Sequence, residues 1–327
     1  MARVFIDGFE AGQLDLWDLV CNASVATGIG GMDGAYCVNL TSNDKAIYKD
    51  VPAADEYYVA FRYKIISPGG SGTIISFTNG ATRLGTLTFD STSRLLQARR
   101  GDESGAILGT GTTAFVNNTV ALIEVHYKPH DTTGIFQVKV NGVLEIDFSG
   151  DTTNNALQIN RIIFGRSVTS GWVYGYVDNV IIDNAVWVGD TRIQAIKPTG
   201  PGNSTQWDPS AGANWDCVEE VPASDTDDVS TNVADEIDLY TFGDLTGSIE
   251  EIKCVQAQAR AIKEGAPTPQ NLQLACRSGG TNYTGPNNAP GTTAQSFAKL
   301  WETNPNTSNP WAVDEVNAAE IGVKAVA

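Results

Sequence analysis

The sequence predicts an all-β protein: a two-sheet jelly roll followed by a smaller β-sandwich with one short helix. Three observations carry this. Gly is abundant, 33 of 327 residues, and with Thr, Asn and Ser it separates short apolar runs at spacings that suit strands and turns. Those runs alternate with a period of two, as in Tyr57, Val59, Phe61, Tyr63 and Ile65, the pattern of a strand lining a core. Residues 171–190, GWVYGYVDNVIIDNAVWVGD, concentrate aromatic and β-branched side chains in one span. They mark the close of a first domain, 1–190, before a second, 191–327.

Taken in order, the first strand opens at Val4-Phe5-Ile6 and turns at Asp7-Gly8. Residues 17–48 alternate short apolar runs with breaks such as Gly28-Ile29-Gly30-Gly31. Strands are predicted over 57–65, 73–78, 84–90, 95–99, 120–127 and 134–140. Asn141-Gly142 joins the last of these to a strand over 143–148, the strongest short-range hairpin signal in the chain. A further strand at 157–167 and the closing stretch bring the count to roughly ten to twelve, more than a small immunoglobulin domain needs. In the second domain, residues 197–204, KPTGPGNS, read as a linker or loop. An acidic passage follows from Asp208 to Asp238. Strands resume at 238–242, 249–260, 270–277 and 294–301. A helix over 313–319 carries Asp314 and Glu315 in its first turn, where the helix dipole favours negative charge. The last strand is 320–326.

Composition narrows the function classes. A content of 42% apolar and 18% charged residues is that of a globular protein. A net charge of −17 opposes a phosphate-binding surface, so no nucleic-acid partner is expected. Five cysteines, Cys21, Cys37, Cys217, Cys254 and Cys276, include no CxxC pair, which indicates neither a zinc site nor a disulfide framework and suits folding in a reducing cytoplasm. No leader-like apolar region opens the sequence and no 18-residue apolar span occurs, so neither secretion nor a membrane partner is expected.

The opening FIDGFEAG with Trp17, the hairpin VHYKPHDTTGIFQVKVNGVLEID and the closing YGYVDNVIID occur in the order expected of a laminin-G-like or concanavalin A-like jelly roll. The chain resembles that class over about residues 3–188. The resemblance implies binding of glycans or proteins, with glycan cleavage in some members. The C-terminal half resembles tails attached to such domains in bacteriophage structural proteins. The phrases that carry this are TQWDPS, DDVSTNVADEIDLYTFGDL, RSGGTNYTG and WETNPNTSNPWAVDEVNAAEIGVK. What these resemblances imply is a non-enzymatic component of a tailed-phage virion, a capsid decoration or a tail or fibre-associated protein. It would assemble in the host bacterial cytoplasm, with other virion proteins, copies of itself and a host surface glycan as its partners. The alternatives are a glycan-cleaving enzyme of the concanavalin A-like class and a stand-alone carbohydrate-binding module.

Candidate sites follow. Glycan-cleaving members of the class carry Glu-x-Asp-x-Glu on a strand, which puts carboxylates on one face as nucleophile, helper and acid. Glu145-Ile146-Asp147-Phe148-Ser149 and Glu236-Ile237-Asp238-Leu239-Tyr240 each lack the third carboxylate, so no catalytic residue is assigned. His126 and His130 sit in a strand and its following turn, outside any recognised catalytic frame. No cofactor is expected beyond structural calcium, which the jelly-roll class often holds and which takes oxygen ligands. Asp7 on the first strand and Asp178 on the last are its candidate ligands, because terminal strands of such sandwiches tend to be neighbours. The cluster Asp225-Thr226-Asp227-Asp228 lacks the glycine and glutamate of an EF-hand loop and reads as a solvated loop. Trp172, Tyr174 and Tyr176 alternate along the closing strand. Exposed, they would stack on sugar rings; buried, they would belong to the core.

Overall fold

A computed structural model describes residues 3–42, 44–67, 70–155, 157–165, 174–265 and 269–327. Its contacts divide the chain into two compact units, Met1–Ile193 and Gln194–Ala327. The first unit contains β1 (Arg3–Asp7), β2 (Leu19–Cys21), β3 (Ser24–Thr27), β4 (Tyr36–Asn39), β5 (Ala46–Ala54), β6 (Tyr57–Ser67), β7 (Gly72–Asn79) and β8 (Thr82–Phe89). It continues through β9 (Leu96–Arg100), β10 (Ile107–Thr110), β11 (Val120–Lys128), β12 (Gly134–Val140), β13 (Val143–Gly150), β14 (Ile159–Gly165) and β15 (Tyr174–Asp183). One sheet runs β13-β12-β11-β6-β15-β4-β3, with β1 also paired to β15, and the other runs β10-β9-β8-β7-β14-β5-β2. These antiparallel sheets enclose one apolar layer and make a two-sheet jelly roll.

The period-two pattern explains the layer. On β6 the side chains of Tyr57, Val59, Phe61, Tyr63 and Ile65 are all buried in the core, each worth about 1.5–3 kcal/mol relative to exposure. The β12–β13 hairpin closes at Asn141 (φ 49°) and Gly142 (φ 82°), the paired positive φ angles of a two-residue hairpin turn. The unit has more strands than the apolar runs suggest, because β2, β3, β4 and β10 are only three or four residues long. Runs that short leave too few alternations to read.

β15 is central, flanked by β6, β4 and β1. It changes phase midway: its register with β6 shifts between Asp178 and Ile181, and Asn179 takes φ 48°. This is a β-bulge. Val177 faces the core before it, and Val180 and Ile182 face the core after it.

The second unit contains β16 (Pro198–Thr205), β17 (Asp208–Pro209), β18 (Val229–Ser230), β19 (Ile237–Phe242), β20 (Val255–Ala261), β21 (Asn271–Ser278), β22 (Thr281–Thr284), β23 (Gln295–Trp301), α1 (Val313–Asn317) and β24 (Glu320–Val326). A sheet β16-β19-β24-β21-β22 packs with the ribbon β20-β23 around Leu272, Leu274, Trp301, Trp311, Val316 and Val323. Glu315 accepts the Ala312 N–H at 3.0 Å and starts α1. The expected linker at 197–204 is instead strand β16. Its prolines are tolerated because it is an edge strand, where a missing N–H breaks no central ladder. The strand predicted from Ile249 begins only at Val255.

Candidate functional site

Asp7 and Asp178, the predicted calcium ligands, are both buried, but the bulge on β15 sends them to opposite faces of the sheet. Asp7 is the partner of Val180, which faces the core, whereas Asp178 is the partner of Arg62 on the outward side of β6. The Asp7 carboxylate accepts the Phe9 N–H at 2.7 Å and the Trp17 Nε1–H at 2.8 Å. It thereby ties the FIDGFEAG loop to the core, where Trp17 packs against Phe5, Phe9 and Phe164. Asp178 accepts the N–H groups of Asn179 at 2.7 Å and Asp33 at 3.0 Å. Burial pushes Asp7 up to about 6 and Asp178 up to about 7. Calcium takes six to eight oxygens, and two acids on opposite faces, each engaged by N–H donors, do not make such a set. Among the described residues no group of three or more His, Cys, Asp or Glu side chains could hold a metal.

The strand carboxylates hold loops. Glu145 accepts the N–H of Thr112 at 2.6 Å and of Thr113 at 3.0 Å, and the hydroxyls of both. Partial burial would raise its pKa, but these hydrogen bonds outweigh it and hold the carboxyl down at about 2. Asp147 is exposed and accepts Gln137 Nε2 at 2.8 Å. In the second unit Asp238 is buried and receives Tyr240 OH at 2.7 Å and Asn214 Nδ2 at 2.9 Å, while Glu236 receives the Thr231 hydroxyl. Asp225 forks onto Arg260 at 2.7 and 3.0 Å, and Asp227 accepts Ser210 Oγ at 3.0 Å.

Across the outward side of β6 and β11 lies the segment 184–193; the sequence pattern assigns its residues 184–190 to the closing stretch and 191–193 to the second domain, whereas all of it belongs to the first unit. The strand stops at Asp183 because its side chain turns back to accept the N–H groups of Ala185 at 2.8 Å and Val186 at 3.0 Å. Trp187 then meets Tyr58 and His126 edge-on, at 5.5 and 5.8 Å, with Lys139 Nζ 4.0 Å from its ring centre. His126 stacks on Tyr58 at 4.0 Å and sets Nε2 2.6 Å from Glu56. Farther along, Gly189 N–H donates to the buried Glu124 at 2.8 Å, Arg62 pairs with Asp190 and Asp33 at 2.6 Å each, and Ile193 N–H donates to Asn179 Oδ1 at 2.8 Å. His126 thus belongs to the fastening of a strap. His130 accepts the N–H groups of Thr132 and Thr133, both at 3.1 Å, and closes the β11–β12 turn.

Tyr174 and Tyr176 are half-buried on the outward face, in the alternation opposite to Val177. Trp172 lies outside the described residues.

A cavity of about 640 Å³ opens where the β7–β8 turn, the β9–β10 connection and the residues after β13 meet. Ala81, Arg83, Arg100, Gly101, Asp102, Glu103, Ser104, Gly105 and Asn154 line it. Arg83 is salt-bridged to Glu103, and Arg100 reaches the carboxylate and the carbonyl oxygen of Asp151, both at 3.0 Å. Ser104 Oγ donates to Asp102 at 2.6 Å, and that hydrogen bond lowers the Asp102 pKa. Gly105 has no room for a side chain, since a Cβ would stand 1.7 Å from the Arg100 carbonyl oxygen. Sequence reading missed this site because its residues come from three turns that only the fold gathers.

No family model and no curated protein matches the chain. Among solved structures, Trypanosoma rangeli sialidase is similar at 15% identity over 53% of this chain and 27% of its own, with a TM-score of 0.37. The receptor binding domain of botulinum neurotoxin C/D mosaic serotype is similar at 11% identity over 55% of this chain and 43% of its own, with a TM-score of 0.38. Another sialidase shares 13% identity over 56% of this chain and 18% of its own, with a TM-score of 0.39. The chain therefore spans less than half the length of each. Matches of this depth carry over neither activity nor ligand.

Proposed function

We propose that the protein is a non-enzymatic structural component of a tailed-phage virion, a capsid decoration or a tail or fibre-associated protein, that displays its lectin-like jelly roll and adheres to glycans. The observation that carries the non-enzymatic part is Glu145. Hydrolysis of a glycosidic bond needs a carboxylic acid that still holds a proton near neutral pH, opposite a second carboxylate. Glu145 stands at the nucleophile position of the frame, but its carboxylate is committed to the N–H groups and hydroxyls of Thr112 and Thr113, and the acid position is Ser149, which has no carboxyl. The virion part is supported by the four phrases of the C-terminal half. Other virion proteins and further copies of the chain are its partners in this reading.

The test is location. Immunogold labelling or a density map of purified particles should find the protein on the capsid or tail, and its absence from particles would overturn the virion reading. An activity screen on bacterial polysaccharides, with Glu145→Gln and Asp147→Asn as controls, addresses the competing enzyme. Cleavage abolished by either substitution would replace the proposal.

A further inference from the structure

The polar cavity beside Arg83 and Arg100 is claimed by no role described so far. We propose that it is a binding site for a neutral polyhydroxylated ligand, a short uncharged oligosaccharide. This deepens the adhesive part of the proposed function and rests on that reading for its biological sense.

The wall decides the ligand class. Its two guanidinium groups, Arg83 and Arg100, face two carboxylates, Asp102 and Glu103, so the lining charges cancel. Both cations are already paired, Arg83 with Glu103 and Arg100 with Asp151. An anionic or cationic ligand would have to compete with those pairs. A hydroxyl donates and accepts at once, so it can bridge a guanidinium and a carboxylate without displacing either. The Asn154 amide and the Ser104 hydroxyl add groups of the same dual character. A net charge of −17 further disfavours an anion. An apolar ligand has only Ala81 to bury against, since no aromatic side chain lines the space.

The size agrees, in a depression that is open to solvent. About 640 Å³ lies within the range of small-molecule sites, roughly 300–1,000 Å³. The loop that forms the wall is set before any ligand arrives. Gly101 takes φ 70° and donates its N–H to Leu84 O at 3.0 Å, its carbonyl accepts Thr86 Oγ1 at 2.7 Å, and Ser104 N–H and Oγ both bond to Asp102. A preformed loop spares the ligand the entropy of ordering it.

The experiment titrates the full chain with maltotriose, cellotriose and N,N′,N″-triacetylchitotriose as neutral probes, 3′-sialyllactose as an anionic one and the unacetylated glucosamine trisaccharide as a cationic one. Calorimetry and saturation-transfer NMR provide the readout. Saturable binding of at least one neutral probe is expected, with weaker binding of both charged probes. Asn154→Ala, at an exposed position, should weaken the neutral probe about threefold to tenfold, the loss of one hydrogen bond, at an unchanged Tm; Ser104→Ala, which also removes the Oγ bond to Asp102, should weaken it at least as much. The proposal is overturned by no saturable neutral binding, by tighter binding of a charged probe, or by variants that bind like the unaltered protein. Because the readout is a free sugar in solution, a negative result leaves the particle-location test standing, and failure of that test leaves this one intact.

Discussion

The two units solve the same packing problem with different reserves. The first encloses a layer rich in large aromatics, among them Tyr57, Phe61, Tyr63, Phe77, Tyr127, Phe136 and Phe164. The second closes over Leu272, Leu274, Val316 and Val323 with two tryptophans, Trp301 and Trp311, in contact through the Trp311 Nε1–H to Trp301 carbonyl bond at 3.0 Å. The first unit also holds buried polar groups on its outward face, Arg62 and Glu124 fastened to Asp190 and Gly189 of the 184–193 segment, and Asp178 beside them. The second unit depends on far fewer side chains, so a single loss there removes a larger share of its core.

The largest effect should come from breaking that smaller core. Trp311→Ala is expected to cost about 3–5 kcal/mol and to make segment 194–327 the first to yield in limited proteolysis, whereas Phe61→Ala should expose the first unit at a similar cost. Equal protease resistance of the two segments in both variants would remove the contrast.

The buried acids sharpen it next. Asp7 and Asp178 hold their protons more tightly folded than unfolded, with carboxyls pushed up to about 6 and about 7. Their contribution is therefore fully present below the unfolded value near pH 4 and is lost as pH rises through 6 to 7. Urea unfolding between pH 4 and 7 should show the first unit losing stability as pH rises, and Asp178→Asn should flatten the slope. Glu145 runs the other way: lowered to about 2, its contribution is present above about pH 4 and is lost as pH falls towards 2.

Smaller effects follow. Trp187→Ala, which removes the strap's contact with Tyr58, His126 and Lys139, should cost about 1–2 kcal/mol and speed amide exchange at Gly189 without opening the core. Glu145→Gln should cost about 1 kcal/mol at pH 7, a small value because the group is solvent-screened. Saturating EDTA should leave the Tm unchanged, and a fall would restore the calcium expectation.

What was legible in the sequence was whatever repeats along the chain. The β6 alternation, the Asn141-Gly142 turn and the last strand, Glu320–Val326, stand where the pattern put them. What was not legible depends on neighbours in space. Pro198–Thr205 looked like a loop because prolines and glycines punctuate it, and only its edge position beside β19 makes it a strand. Asp7 and Asp178 were paired on strand adjacency, which holds for β1 and β15, but the face of each acid depends on one extra residue. The cavity arises from Arg83, Arg100 and Asn154, which lie far apart in sequence and share no local pattern.

That extra residue, Asn179, gives β15 two reading frames. Up to Asp178 the even-numbered side chains face outward; from Val180 onward the even-numbered ones face the core. Deleting Asn179 would remove the bulge and straighten the strand: Val180 would follow Asp178 directly and still face the core, and Ile182 with it. The bulge is thus the place where this strand can take up or lose one residue without turning its downstream side chains over.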